Sequence, residues 1–340
     1  MTRSALLVIP TGLLLLAAAG CATSDASPAA PAPPASAAEA VGASGDGAPA
    51  GDDTAKGATT DPPVGAAPPL SCSACLDIEK RNPQTGVCEP DCPAGEVYVP
   101  RTGPEGFVMG QSIRPPKDRP HKVVLTRPFC IDANEITAGE YEKCVKEQGC
   151  TKPRFIGPWG TFEKKPDHPV NKIHWKQAKH FCEQRGKTLP TEAQWEWAAT
   201  GGDGRKWPWG NEQPTCEHAD FTIGTMPTPA ANAGCHGGGT SAVGSHPRGD
   251  RVWPSGVIHD LAGNVWEWCF DNYVAYPSED QVDPVHMTNE EATHVVRGGG
   301  WNRSVVGIQT AYRGGAVVDY QRPGLGGRCA RNAKQAGSQK

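Results

Sequence analysis

The chain has no surplus of positive charge: 33 basic side chains stand against 37 acidic ones, for a net charge of −4. Without a basic field to gather phosphates, nucleic acid is not an expected partner. Only one apolar run is long, and the mean hydropathy is −0.49. A multispanning membrane protein is therefore excluded. No Gly-x-Ser-x-Gly occurs, so a hydrolase nucleophile elbow has no support. Gly237-Gly238-Gly239 does not lie between a strand pattern and a helix pattern, so it is no phosphate loop. There is no internal repeat. Long helical patterns are scarce as well. The 41 Gly and 33 Pro among 340 residues favour a loop-rich fold of short elements.

What is present falls into sections. The run Ala5–Ala19 is apolar, follows Arg3 and ends at Ala18-Ala19-Gly20-Cys21. This is the pattern of a secretory signal over residues 1–20, with Pro10 and Gly12 arguing against an uncleaved anchor helix. With Cys next, it resembles a bacterial lipoprotein signal. The resemblance implies lipidation at Cys21 and, with Ala22 following, the outer membrane. Residues 21–71 then form the lipidated Cys and a tether. Ala, Pro, Gly and Ser fill 36 of the 50 positions from 22 to 71, with no aromatic residue. Such a segment cannot bury enough apolar surface to offset its ordering entropy. Residues 1–71 together hold the whole net charge of −4, so residues 72–340 are neutral.

Thirteen cysteines less Cys21 leave twelve, an even number for an oxidising compartment. Cys72, Cys75, Cys88 and Cys92 lie in a small module, residues 72–94. They suit either two disulfides or a tetrahedral zinc. Cys144 and Cys150 are close enough for a local bridge, and Cys216 and Cys235 bracket a loop. Cys130 and Cys269 are left to pair by elimination, with one or two free thiols as the alternative. From residue 95 to 331 the composition is that of a folded domain, followed by a tail, 332–340. Val97–Pro100 and Gly106–Gly110 read as strands, and Val123–Leu125 with Phe129–Ile131 as a strand pair. A capping box of Thr137 and Glu140 predicts a helix from Ala138 to about Glu147. Trp175–Gln184 is a second helix, stopped by Gly186. Thr191 and Gln194 start a third, ending at Gly201-Gly202. All ten Trp lie between Trp159 and Trp301. Their reading from the residues alone is mostly packing. His168, His174, His180, His246 and His259 form no metal motif.

Several segments together point further. They are Glu135-Ile136-Thr137, His168-Pro169-Val170, and Leu189-Pro190-Thr191-Glu192-Ala193-Gln194-Trp195-Glu196-Trp197. Trp207-Pro208-Trp209-Gly210-Asn211 and Gly263-Asn264-Val265-Trp266-Glu267-Trp268 follow. Arg297-Gly298-Gly299-Gly300-Trp301 and Gly326-Gly327-Arg328-Cys329-Ala330 complete the order. This series resembles the formylglycine-generating enzyme, or sulfatase-modifying factor, domain. The resemblance covers about residues 95–331. It implies an α+β, C-type-lectin-like fold that is loop-rich with short strands and few helices. It also implies a Cys182–Cys329 bridge.

The enzyme of that family oxidises a client cysteine with Cu(I) held by two thiolates five residues apart. Here the matching positions are Arg303 and Ile308, so copper is not expected. The binding groove implied by the resemblance keeps Trp266, Gly300 and Trp301, with Arg303 beside them. A calcium site is implied through the side chains of Asp260 and Glu267 and the carbonyls of Gly263 and Val265. Spacing alone leaves Asp260 in a turn and Glu267 in an ion pair as the alternative. A second site would use Asp220 and the Phe221 carbonyl, but Cys235 stands where the family has an Asp. The expected protein is an extracytoplasmic, membrane-anchored lipoprotein whose domain binds an envelope or extracellular protein or glycan. The alternative is a protein-modifying oxidase or nonheme-iron enzyme of the same family that uses other residues.

Overall fold

The computed structural model describes residues 78–333, except 82, 85–87, 112–117, 155–156 and 224–233. The signal segment, Cys21, the tether, Cys72, Cys75 and residues 334–340 lie outside the described residues. Among the described residues no helix is long and apolar enough to cross a membrane.

Three helices are each opened by a reciprocal cap. In α1, Ala138–Glu147, Thr137 accepts from the Glu140 amide at 3.2 Å and Glu140 accepts from the Thr137 amide at 3.1 Å. In α3, Glu192–Thr200, Thr191 and Gln194 make the same exchange, and Gly201 ends the helix at φ 64°. The cap of α2, Trp175–Glu183, is His174, whose Nδ1 accepts from the Gln177 amide at 3.2 Å. Both predicted boxes are present; the His174 box carries no Ser, Thr, Asp or Asn to announce it.

The strands are short. The largest sheet orders Gly314–Val317, Thr293–Arg297, Trp266–Asn272 and Leu325–Gly326, the last parallel to its neighbour. A second places Phe129–Asp132 between Ala330–Asn332 and Glu96–Val99. A third places His121–Val124 between Gln281–Val282 and Phe107–Met109. The expected pairing of Val123–Leu125 with Phe129–Ile131 does not occur, because the two strands belong to different sheets. Leu125 is instead fastened to Thr102, whose amide and hydroxyl meet its carbonyl and amide. The large rings fill the interior, with Trp175, Trp195, Trp207, Trp268 and Trp301 fully buried.

Four disulfides are described: Cys92–Cys130, Cys144–Cys150, Cys182–Cys329 and Cys216–Cys235, with Cα separations of 5.8, 5.3, 5.5 and 5.4 Å. Two expectations are corrected. Cys130 pairs with Cys92 rather than Cys269, and Cys269 is a free, buried thiol. The cause is strand alternation. Phe129 and Ile131 face one core cluster, which also holds Cys269. Cys130, between them, faces the opposite side toward Ile78, Ala333 and Cys92. Burial pushes the Cys269 thiol well above its usual range, so it is a packed and unreactive group. Neither reading of the 72–94 module holds: Cys92 is bridged to Cys130, so the four cysteines do not form two disulfides among themselves, and with Cys88 disulfide-bonded as well they do not form a zinc site. That bridge fastens the segment to the domain, and residues 74–340 form one compact unit.

Candidate functional site

The turn from Asp260 to Glu267 is built from backbone that few sequences tolerate. Asp260, Gly263 and Asn264 all adopt positive φ, at 56°, 83° and 52°. A Cβ on Gly263 would lie 2.3 Å from the Asp220 carbonyl oxygen, so only glycine fits. Asn264 fastens the turn in four directions. Its amide donates to the Asp220 carbonyl, its carbonyl accepts from the Trp301 amide, its Oδ1 accepts from the Ser241 amide, and its Nδ2 donates to Glu135. Through Asn264 the turn and the groove strand are held in one register.

The acidic residues of this turn differ in their commitments. Asp260 accepts from the Gly244 amide at 2.6 Å, and its other oxygen is 3.8 Å from His246 Nδ1. Glu267, fully buried, is gripped by Arg328 through two bonds of 2.7 Å and accepts from Trp195 Nε1 at 2.8 Å. Glu135, which sequence reading took only as part of a motif, lies beneath the turn. It accepts from the Val265 amide at 3.1 Å and from Asn264 at 2.7 Å. Burial first, then the charges of Asp260 and Glu267, push its carboxyl well above the usual range. Three buried carboxyl groups therefore crowd one neighbouring guanidinium, and Glu135 is pushed toward its neutral form; among the described residues no group of three or more His, Cys, Asp or Glu is arranged to hold a metal ion.

The second candidate cation position is filled by protein. Asp220 accepts from the Cys235 amide at 2.9 Å and from the Ser241 hydroxyl at 2.8 Å. The Cys235 sulfur lies 3.4 Å and 3.5 Å from the carbonyl oxygens of Ala219 and Phe221. The Cys216–Cys235 bridge thus fixes the loop that a metal would otherwise order.

The groove residues are brought together around the end of the strand Thr293–Arg297. Gly300 is required, since a Cβ there would meet the Gly324 carbonyl oxygen at 2.9 Å. Trp301 is buried and donates to the Pro323 carbonyl at 3.2 Å. Trp266 shows only an edge, and the exposed Arg303 guanidinium sits 5.7 Å from its ring centre. Ile308 points the other way. It is fully buried with Trp207, Ala219, Phe221 and Ala262. The two positions of the copper thiolates thus hold a solvated cation and a core aliphatic group. One groove residue escaped sequence reading: Trp159. Its φ is 64°, its ring leans on Trp301 at 5.7 Å, and it is 36% exposed. Nothing in its sequence neighbourhood announces that backbone.

A cavity of about 360 Å³ lies elsewhere, along α2 between His174 and Glu183. Its lysines are already matched, Lys176 to Glu291 and Lys179 to Glu183 and Glu290. It contains none of the residues expected from the sequence to form the groove or the cation turn, and it is not the candidate site.

The sequence profile of the sulfatase-modifying factor enzyme 1-like domain matches residues 89–333. The chain is 35% identical over 280 residues to the formylglycine-generating enzyme of Streptomyces coelicolor, covering 67% of this chain and 86% of that enzyme. It is 33% identical over 185 residues to the inactive C-alpha-formylglycine-generating enzyme 2 of Bos taurus. That match covers 52% of this chain and 54% of the bovine protein, about half its length. Among solved structures, Treponema denticola variable protein 1 superimposes with a TM-score of 0.53 at 21% identity, covering 69% of this chain and 94% of that one. The last likeness supports the α+β, loop-rich fold expected from the sequence.

Proposed function

This chain belongs to the sulfatase-modifying factor enzyme 1-like family, and on that premise we propose that it is a binding module without the family's oxidase chemistry. The observation that carries the reading is the pair of positions 303 and 308. Copper oxidation of a thiol needs two soft ligands at one point. Here one position is an exposed arginine and the other a buried isoleucine. The groove around them keeps Trp266, Gly300 and Trp301. A relative at 33% identity bears the name of an inactive formylglycine-generating enzyme, so the fold has a precedent for persisting without the reaction. The test is incubation of the purified domain with a sulfatase-type cysteine peptide, with and without copper, followed by mass spectrometry. No formylglycine product is expected. Detectable turnover would end this reading and favour an enzyme using other residues.

The module is proposed to stand outside the cytoplasm on a lipid anchor at Cys21, in the outer membrane, where its partner is an envelope or extracellular macromolecule. The disulfides support an oxidising compartment. Changing Cys21→Ser is expected to move the protein from the detergent-soluble membrane fraction to an unacylated form. A processed Cys21→Ser protein that still sediments with membranes would refute the anchor.

Calcium is proposed as a structural ligand of the turn, held by Asp260, the Gly263 and Val265 carbonyls, and Glu267 alongside its arginine. Hard oxygens suit that ion, and the side chains of Asp260 and Glu267 flank one turn there, close to Glu135. At calcium a hundredfold above its dissociation constant the folded state gains about 2.7 kcal/mol. For a domain of this size that raises the melting temperature by roughly 5–11 °C. Asp260→Ala should abolish the response. Glu267 is unsuited to this test, because its loss also strands Arg328. Identical melting in chelator and in millimolar calcium would remove the ion and leave the fold assignment intact.

A further inference from the structure

We propose that Arg251 and Arg205 form a site for a tetrahedral oxyanion, a sulfate or phosphate group, beside the C-terminal end of α3. The site shares no residue with the groove or with the Asp260–Glu267 turn, and it does not depend on the binding-module reading. It starts from an arginine that the fold leaves without a partner. Arg297, Arg313 and Arg328 are buried, and each is matched by a glutamate: Glu196, Glu192 and Glu267. Arg251 is half-buried, yet it forms no ion pair and no hydrogen bond with any described residue. Its Nε is sealed from solvent and unbonded. Its two terminal nitrogens are not sealed, so the outer edge of the fork is open to a ligand.

Packing fixes where that guanidinium stands. Arg251 opens the strand Arg251–Trp253, and its guanidinium carbon lies 4.8 Å from the centre of the Trp253 ring. The Trp253 indole donates to the Ala198 carbonyl at 3.0 Å, which ties the ring to α3. Arg251 also meets Gly201, the residue that ends α3. A Cβ on Gly201 would lie 2.3 Å from Nη2, so the guanidinium takes the space that a side chain would fill. A ring and a stretch of backbone therefore hold the fork in place without using any of its donors.

The second cation is Arg205, in the loop after α3. Burial first, then the charge of Arg205, pushes the Arg251 guanidinium down to about 10. The acidic group that acts on both arginines is Asp203, and it is committed to Arg205, which grips it through Nε and Nη2. Two guanidinium groups against one carboxylate leave a positive surplus in a half-buried place, where water screens it less. Arg205 also donates from Nη1 to the Pro208 carbonyl, which leaves one N–H on each of its terminal nitrogens. A planar carboxylate is used up by one fork, as Asp203 is. A tetrahedral group carries oxygens in four directions and can meet both arginines at once, and its negative charge cancels the surplus.

The test is isothermal titration calorimetry of the full chain with sodium sulfate, inorganic phosphate, dimethyl phosphate and acetate. Ionic strength is held constant with chloride, so that general screening cannot pass for binding. Sulfate or phosphate is expected to bind about tenfold or more tightly than acetate. Dimethyl phosphate stands for the diester of a lipid headgroup. Tighter binding of it than of inorganic phosphate assigns the site to such a headgroup, and weaker binding assigns it to a free anion or a monoester. Arg251→Lys keeps the charge and loses the fork, and it should weaken binding about tenfold. Arg251→Met should abolish binding while the circular dichroism spectrum is unchanged. Arg303→Gln should leave the affinity as it is, which separates this site from the exposed arginine of the groove. Acetate binding as tightly as sulfate and phosphate overturns the proposal, as does affinity undiminished in Arg251→Lys. Binding that survives Arg251→Met, or that is lost in Arg303→Gln, does the same. No binding of either inorganic anion at millimolar concentration rejects it too.

Discussion

Replacing Arg328 with methionine is expected to lower the unfolding free energy by about 3–5 kcal/mol, because it leaves a buried carboxylate without its partner. Both residues of the pair are fully buried, and their two contacts are each 2.7 Å. Arg328 does more than neutralise Glu267. It donates to the carbonyls of Asp132, Ala133 and His259, tying two other segments to its own. In a domain of this size the loss corresponds to a melting temperature lower by about 6–20 °C. The double change Glu267→Leu with Arg328→Met separates charge from connectivity. It removes both ions, so the electrostatic part of the loss should vanish. The carbonyls of Asp132 and His259 and the Trp195 indole would then lose these bonds, while the Ala133 carbonyl keeps the His259 amide, which still leaves the double variant below the native protein. The check is thermal and urea unfolding of the native protein and both variants. A single-variant loss under about 1 kcal/mol, the scale of a solvent-exposed pair, would mean that water reaches the site and that the pair is not the centre of the domain.

The contrast between Glu267 and Arg328 on one hand and the helix caps on the other shows what sequence can disclose. Thr137 with Glu140, and Thr191 with Gln194, are local: three residues determine the hydrogen bonds, so the helix starts are legible. The glycines at 263 and 300 are legible in part, through their motifs, although the close backbone approaches that demand them are not. Long-range partners are hidden. Arg328 reaches Glu267 over 61 positions, and no spacing rule connects them. Cys130 is an intermediate case. Phe129-Cys130-Ile131 is a strand with two apolar residues on one face, so Cys130 had to point away from the core that holds Cys269. Elimination among unpaired cysteines ignored that alternation, and Cys92–Cys130 was missed for that reason. Trp159 was out of reach altogether, because its importance lies in a backbone angle set by Asn171 and by the packing of Trp301.

Removing the bridge between Cys182 and Cys329 should have the largest effect among the described disulfides, because its loop spans 147 residues. Chain entropy grows with the logarithm of loop length, which gives about 5 kcal/mol for a loop this long. Cys144–Cys150, closing 6 residues, falls well below that on the same relation. The position of the long bridge strengthens the case. Cys182 ends α2, and Cys329 precedes the strand Ala330–Asn332, which completes a sheet with Phe129–Asp132. Cys329 also adjoins Arg328, so loosening it frees the residue that holds Glu267. Both sulfurs are buried, and Ser in either place would leave a hydroxyl in apolar surroundings. The informative variant is therefore Cys182→Ala with Cys329→Ala, compared with Cys144→Ala with Cys150→Ala. Unfolding free energies of the two from urea titration should differ by about 3 kcal/mol in the direction of the long loop, if residual structure in the unfolded chain is small. Equal losses from the two would show that the unfolded chain is already compact enough to make the long closure inexpensive, and the stabilisation would then have to be sought in native packing around α2.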